Sequence, residues 1–244
     1  MGIHRLKSRQ RALPQVRQIN AYTKVVMHLS AVAASLLVAA SLVLPAENKT
    51  ENPVLDITNS DSVTVLVNKQ HPLKPQSYVP ANLKTVGSVK MRGDAAYNLE
   101  KMLAAAKAAG APLNTRSGYR SYDTQKVTYQ KWVNTLGAAK ANLYSAKPGQ
   151  SEHQTGLAID LASATGNCQA LSSCMANTPG GKWLVKHSYE YGFILRYEKG
   201  QTDITGYNYE PWHFRFVGID VAKDYHAKGF HTYEEYLKTV PTAR

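Results

Sequence analysis

Cysteine is scarce: Cys168 and Cys174 are the only two among 244 residues. With no third cysteine and no histidine within ten residues of either, a cysteine-based metal site has no partners to complete it. In a loop outside the cell, such a pair is expected to close a local disulfide. Acid is missing from the first 46 residues. Six of the 29 Lys/Arg fall there (Arg5, Lys7, Arg9, Arg11, Arg17, Lys24) and none of the 17 Asp/Glu, which leaves 23 basic against 17 acidic residues in the remainder. A basic body suits an anionic neighbourhood such as cell-wall polymers or a membrane surface. Zinc-finger spacing, an RNP signature and an arginine-rich helix are all lacking, so nucleic acid is not the expected partner. No internal repeat or low-complexity tract occurs. The length then fits one domain with a sizeable core and a short appendage.

There is one long apolar run. Val25–Leu44 is 20 residues without Asp, Glu, Lys or Arg, broken only by His28 and three serines. It is long enough to cross the hydrocarbon core of a bilayer. The cations ahead of it place residues 1–24 in the cytoplasm and everything beyond residue 45 outside. Cleavage after Ala46 would put the large Leu44 at the −3 position, against the small-residue rule, so an uncleaved single-pass anchor is favoured over a signal segment and a secreted product. The expected organisation is a basic N-terminus (1–24), the membrane segment (25–44), a polar turn-rich linker (45–62) and a folded domain (63–244).

Within that domain the pattern predicts a short strand at Val63–Val67, then a proline-bearing stretch, 68–92, that wraps over a surface. A helix is expected over Asp94–Ala109 with Gly110 at its end. The Arg92-Gly93-Asp94 tripeptide is explained by helix initiation. Further expectations are a strand at Leu113–Arg116, a helix at Tyr122–Leu136 closed by Gly137, and a strand at Leu157–Leu161. A long loop at 163–181, a helix at Lys182–Tyr191 and a strand at Phe193–Tyr197 follow. The chain then gives a strand at Trp212–Val217 and helices at Asp220–Lys228 and Thr232–Val240, the last opening on the capping box Thr232/Glu235. Strands and helices interleave without regular βαβ spacing. The expected class is α+β: a small antiparallel sheet flanked by helices, following an N-terminal transmembrane segment.

What is present, set against these absences, is a metal-ligand set. Residues 151–160 read S-E-H-Q-T-G-L-A-I-D and residues 210–213 read E-P-W-H. A catalytic zinc needs three protein ligands, an open position for water, and a base that does not bind the metal. His153, Asp160 and His213 are the candidate ligands for one zinc ion per chain, and Glu210 is the candidate base. Gly156 allows the turn that folds His153 back towards Asp160. An Asp–His hydrogen-bonded pair without a metal would use the same two residues. Other divalent metals also accept imidazole and carboxylate. In a regular strand, residues 210 and 213 would face opposite ways, so Pro211 is expected to place Glu210 in a preceding turn. Arg120 offers a guanidinium fork to a terminal carboxylate or a developing oxyanion. Gln125 and Ser151 are further substrate contacts, and Tyr119, Tyr197 and Trp212 are candidate cleft walls. His4, His28, His71, His187, His226 and His231 receive no role. The cysteine loop could overhang the cleft.

Three segments, S-G-Y-R-S (117–121), S-E-H-Q-T-G-L-A-I-D (151–160) and Y-E-P-W-H-F-R-F-V-G (209–218), resemble the VanY-type D-alanyl-D-alanine metallocarboxypeptidases. The wider group includes lysostaphin-type peptidases and the hedgehog signalling domain. By matching position, the resemblance implies His153, Asp160 and His213 as zinc ligands, Glu210 as catalytic base, and Arg120 as holding substrate and stabilising the oxyanion. It implies removal of the C-terminal D-alanine from peptidoglycan stem peptides. The shared motifs serve D,D- and L,D-carboxypeptidases alike, the latter acting on the tetrapeptide. A non-enzymatic wall-binding or signalling domain is the alternative from another class, and the spare glutamate argues against it.

Overall fold

A computed structural model describes residues 53–243. The expected basic N-terminus, the membrane segment Val25–Leu44 and the first part of the linker lie outside the described residues. Within the described residues, no helix is long and apolar enough to cross a membrane.

The first strand, β1 (Leu55–Asp56), lies in what was expected to be a tether, with Leu55 buried. The predicted strand at Val63–Val67 does not form. Those residues are irregular, yet Val65, Leu66 and Val67 are buried. Their apolarity reports burial without a strand to pair with. The expected wrapping segment instead ends in a hairpin, β2 (Leu83–Val86) and β3 (Val89–Arg92), turning at Gly87 with φ +60°. Helix α1 (Gly93–Ala108) follows and buries Ala95, Leu99, Met102 and Ala106, a face at i, i+4 and i+7 spacing. Next come β4 (Leu113–Ser117), α2 (Tyr122–Leu136) and α3 (Ala138–Tyr144), the last not anticipated. Ser121 caps α2 by accepting from the Thr124 amide.

A 3₁₀ turn over Glu152–Thr155 leads into β5 (Ala158–Ser163). The expected loop 163–181 contains another 3₁₀ turn, Ser173–Asn177, and α4 (Pro179–His187) begins inside it, capped by Thr178. The expected helix Lys182–Tyr191 therefore starts earlier and breaks into a 3₁₀ turn at Ser188–Tyr191. Then come β6 (Phe193–Leu195), α5 (Thr202–Thr205) and β7 (His213–Phe216). The chain closes with α6 (Ile219–Ala227), α7 (Tyr233–Leu237) and β8 (Thr242–Ala243), which pairs in parallel with β1. Thr232 caps α7 through the Glu235 amide.

The main sheet is antiparallel throughout, in the order β4-β5-β7-β6. The class is α+β, as expected. Side chains alternate on β5 and β7, and the two faces differ in kind. Ile159, Leu161, Phe214 and Phe216 belong to the core cluster that includes Leu99 and Met102 of α1. Each such side chain contributes about 1.5–3 kcal/mol by leaving water. Asp160, His213 and Arg215 fall between them in the sequence and project from the opposite face. A second apolar cluster, with Ile194, Val217, Tyr233 and Tyr236, packs around α6 and α7.

Candidate active site

Asp160 of β5 and His213 of β7 are direct partners across the two strands, and Ser117 of β4 is the partner of Asp160 on its other side. Register alone thus sets two of the candidate ligands side by side. His153 arrives from the 3₁₀ turn that precedes β5. That turn is terminated by Gly156 in the left-handed region at φ +71°, where an added Cβ would press on the Arg92 amide at 3.1 Å. The chain then reverses, and His153 Nε2 lies 3.2 Å from Asp160 Oδ2 while His213 Nδ1 lies 3.2 Å from Asp160 Oδ1. Ligand atoms of His153, Asp160 and His213 lie within 4.8 Å of one another, and all three residues are buried.

The hydrogen bonds decide which nitrogens face inward. His153 Nδ1 donates to the Gly118 carbonyl at 2.8 Å, and a carbonyl can only accept. Its Nε2 therefore presents a lone pair to Asp160. His213 Nε2 lies 3.2 Å from Glu152 Oε2, and its Nδ1 faces Asp160. Metal-binding histidines are oriented in this way, with the second nitrogen tied to a carbonyl or carboxylate. Asp160 Oδ1 is buried without a hydrogen-bond partner. Two imidazole nitrogens and an unpaired carboxylate oxygen facing one point repel unless a cation lies between them. The residues fit a divalent metal with nitrogen and oxygen ligands.

Burial opposes the charged form of Asp160, yet His153 and His213 hold its carboxyl well below the usual range. Burial also holds His153 down, so that ring stays neutral. For His213, burial is outweighed by Asp160 and Glu152, which lift it to about 9.

Glu210 sits where Pro211 was expected to put it. The His213 amide donates to the Glu210 carbonyl at 3.0 Å, closing a turn ahead of β7, and Glu210 Oε2 comes to 3.7 Å from His213 Nδ1. Burial raises its carboxyl to about 7, close to the range in which a general base works best. Arg120 extends from the loop after β4, donating to Gln125 Oε1 at 2.8 Å and to Ser117 Oγ at 2.7 Å. Gln125 is anchored in turn on the Ala146 carbonyl at 2.7 Å. Gly118 lets this loop run close to the Lys90 carbonyl, where any Cβ would collide.

These groups line one cavity of about 320 Å³, with Gln125 and Ser151 at its wall alongside Tyr197 and Trp212. Tyr119 does not line it. Its amide instead donates to the Lys90 carbonyl. Cys168 and Cys174 form a disulfide, and Leu171 between them reaches the cavity, so the loop overhangs the cleft. The sequence reading missed Trp132 and Tyr144, stacked at 5.4 Å beside the cavity, and missed the buried Glu152, Arg196 and Arg215. The signal for Arg215 was a charged residue inside the apolar H-F-R-F. Glu152, next to His153, carried none.

The family profile described as VanY, D-alanyl-D-alanine carboxypeptidase, matches residues 88–219, more than half of the chain. The chain belongs to the VanY family. It is therefore a carboxypeptidase, a peptidase by class. YodJ of Bacillus subtilis (strain 168) is 42% identical over 194 residues, spanning 75% of this chain and 70% of YodJ. Among solved structures, the LdcB LD-carboxypeptidase is 39% identical at a TM-score of 0.70, with 79% of this VanY-family chain and 96% of that chain covered. A VanY D,D-pentapeptidase variant from a VanB-type resistance cassette, in complex with Zn(II), is 33% identical at a TM-score of 0.61, covering 71% and 97%.

Proposed function

We propose that this chain is a zinc-dependent carboxypeptidase that removes the C-terminal D-alanine from peptidoglycan stem peptides. The observation that carries the zinc assignment is the convergence of His153, Asp160 and His213 with inward-facing nitrogens and an unpartnered carboxylate oxygen. His153, Asp160 and His213 would hold one zinc ion, which, when bound, supplies Lewis acidity towards water and the scissile carbonyl. Glu210 takes a proton from the attacking water and returns it to the departing amine. Arg120, aimed by Ser117 and Gln125, grips the terminal carboxylate or the oxyanion. The VanY structure with Zn(II) supports the metal, and the family supports the D-Ala-D-Ala substrate.

A second reading, L,D-cleavage of the tetrapeptide, is favoured by the likeness to LdcB, at higher identity and TM-score than to the D,D-pentapeptidase. Incubating the full-length chain with defined penta- and tetrapeptide stems separates them. D-alanine released from the pentapeptide supports the first reading, and release from the tetrapeptide alone replaces it with the second. A metal chelator should stop either activity, and zinc should restore it.

The proposal extends to place. Residues 25–44 would anchor the chain in the cell membrane with residues 63–244 outside, or release it if cleaved. The excess of 23 Lys/Arg over 17 Asp/Glu beyond residue 46 would favour anionic wall polymers as neighbours.

A further inference from the structure

Among the described residues, the two largest side chains shut fully from solvent are not apolar. They are Arg196 and Arg215. A buried guanidinium persists only beside countercharge. Both donate to the same oxygen of Glu152, Arg196 through Nε at 2.8 Å and Arg215 through Nη1 at 2.9 Å. The other Glu152 oxygen faces His213 Nε2 at 3.2 Å. Beyond Arg196, Glu234 of α7 accepts twice, at 2.8 and 2.6 Å. Beyond Arg215, the carbonyls of Val63 and Val65 accept at 3.1 and 2.7 Å. Two guanidiniums and two carboxylates thus form a neutral cluster, with a site histidine at one end and the C-terminal helix at the other.

We infer that Glu152 is a positioning residue for His213: locked as an acceptor by Arg196 and Arg215, it decides which ring nitrogen is offered to the metal. The inference rests on the zinc reading above. A carboxylate facing Nε2 keeps the proton there, so Nδ1 keeps its lone pair towards Asp160. The swap Glu152→Gln keeps size and shape but makes one of the two oxygens an amide nitrogen. The guanidinium donors demand an acceptor, so the amide oxygen turns to them and the NH₂ is left facing His213. Nε2 must then accept, its proton moves to Nδ1, and a ligand atom becomes a donor. A side chain that merely fills space would not feel this exchange.

Two measurements on the full-length chain test it. Zinc affinity by chelator competition should fall about 10- to 100-fold in Glu152→Gln, with the far-UV circular dichroism unchanged. Nitrogen-15 NMR of the zinc-loaded wild type should find the His213 proton on Nε2, a readout that needs no variant and can overturn the assignment even if Glu152→Gln does not fold. A folded Glu152→Gln with wild-type zinc affinity, or a proton on Nδ1 in the wild type, overturns the assignment to Glu152. A wild-type chain that takes up no zinc overturns the zinc reading, and this inference with it.

Discussion

The two faces of β5 and β7 are built from alternate residues of the same short strands, yet they obey different rules. On one side Ile159, Leu161, Phe214 and Phe216 press against α1, and what matters there is volume and shape. On the other, Asp160, His213 and Arg215 meet Glu152, Glu210 and Arg196, and each group faces a named charged or imidazole partner at 2.8–3.7 Å. Packing tolerates approximate replacement because many weak contacts share the load. A buried charge has no such averaging. Loss of one partner exposes the full desolvation penalty of the other.

The comparison is most sharply tested at Glu210. Glu210→Gln should cut kcat by about 10²- to 10⁴-fold while zinc content by elemental analysis stays at the wild-type level. A variant that kept its turnover would remove Glu210 from the proposed chemistry. Next in size, Arg215→Met should lower unfolding stability by about 3–5 kcal/mol in denaturant titration, because Glu152 is left short of a donor. On the opposite face, Ile159→Val should cost only about 0.5–1.5 kcal/mol and leave kcat/KM for the stem peptide unchanged. If Ile159→Val cost as much stability as Arg215→Met, the two faces would not be separable. Smallest of all, Lys228→Ala breaks an exposed pair with Asp224 in α6 and should change stability by less than about 0.5 kcal/mol.

The apolar face was readable in the sequence, since the strands around residues 159 and 214 and the helix beginning near Asp94 follow plain periodicities. So were His153, Asp160, Glu210 and His213 as a set, because metal chemistry restricts residue type and the turn residues Gly156 and Pro211 mark how the set can close. The hairpin at residues 83–92 was hidden by the proline-rich stretch ahead of it, and α3 by its brevity. The strand expected at Val63–Val67 failed for the opposite reason: strong apolar character, but no strand to pair with, the Val63 and Val65 carbonyls accepting from Arg215 instead. Glu152, Arg196 and Arg215 were the least legible, because the pattern of a sequence assigns charged residues to the surface. Only the three-dimensional arrangement shows them answering one another.

The face-to-face setting of Asp160 and His213 has a consequence for how such a chain can vary in length. Inserting or deleting a single residue within 158–163 or 213–216 would rotate every following side chain to the wrong side, burying the ligands among phenylalanines and sending the phenylalanines into the cleft. Gains and losses of sequence can therefore accumulate in the cystine-bridged overhang without touching these ten strand positions. Substrate preference is thereby free to drift by lengthening a rim while the ligand spacing stays fixed.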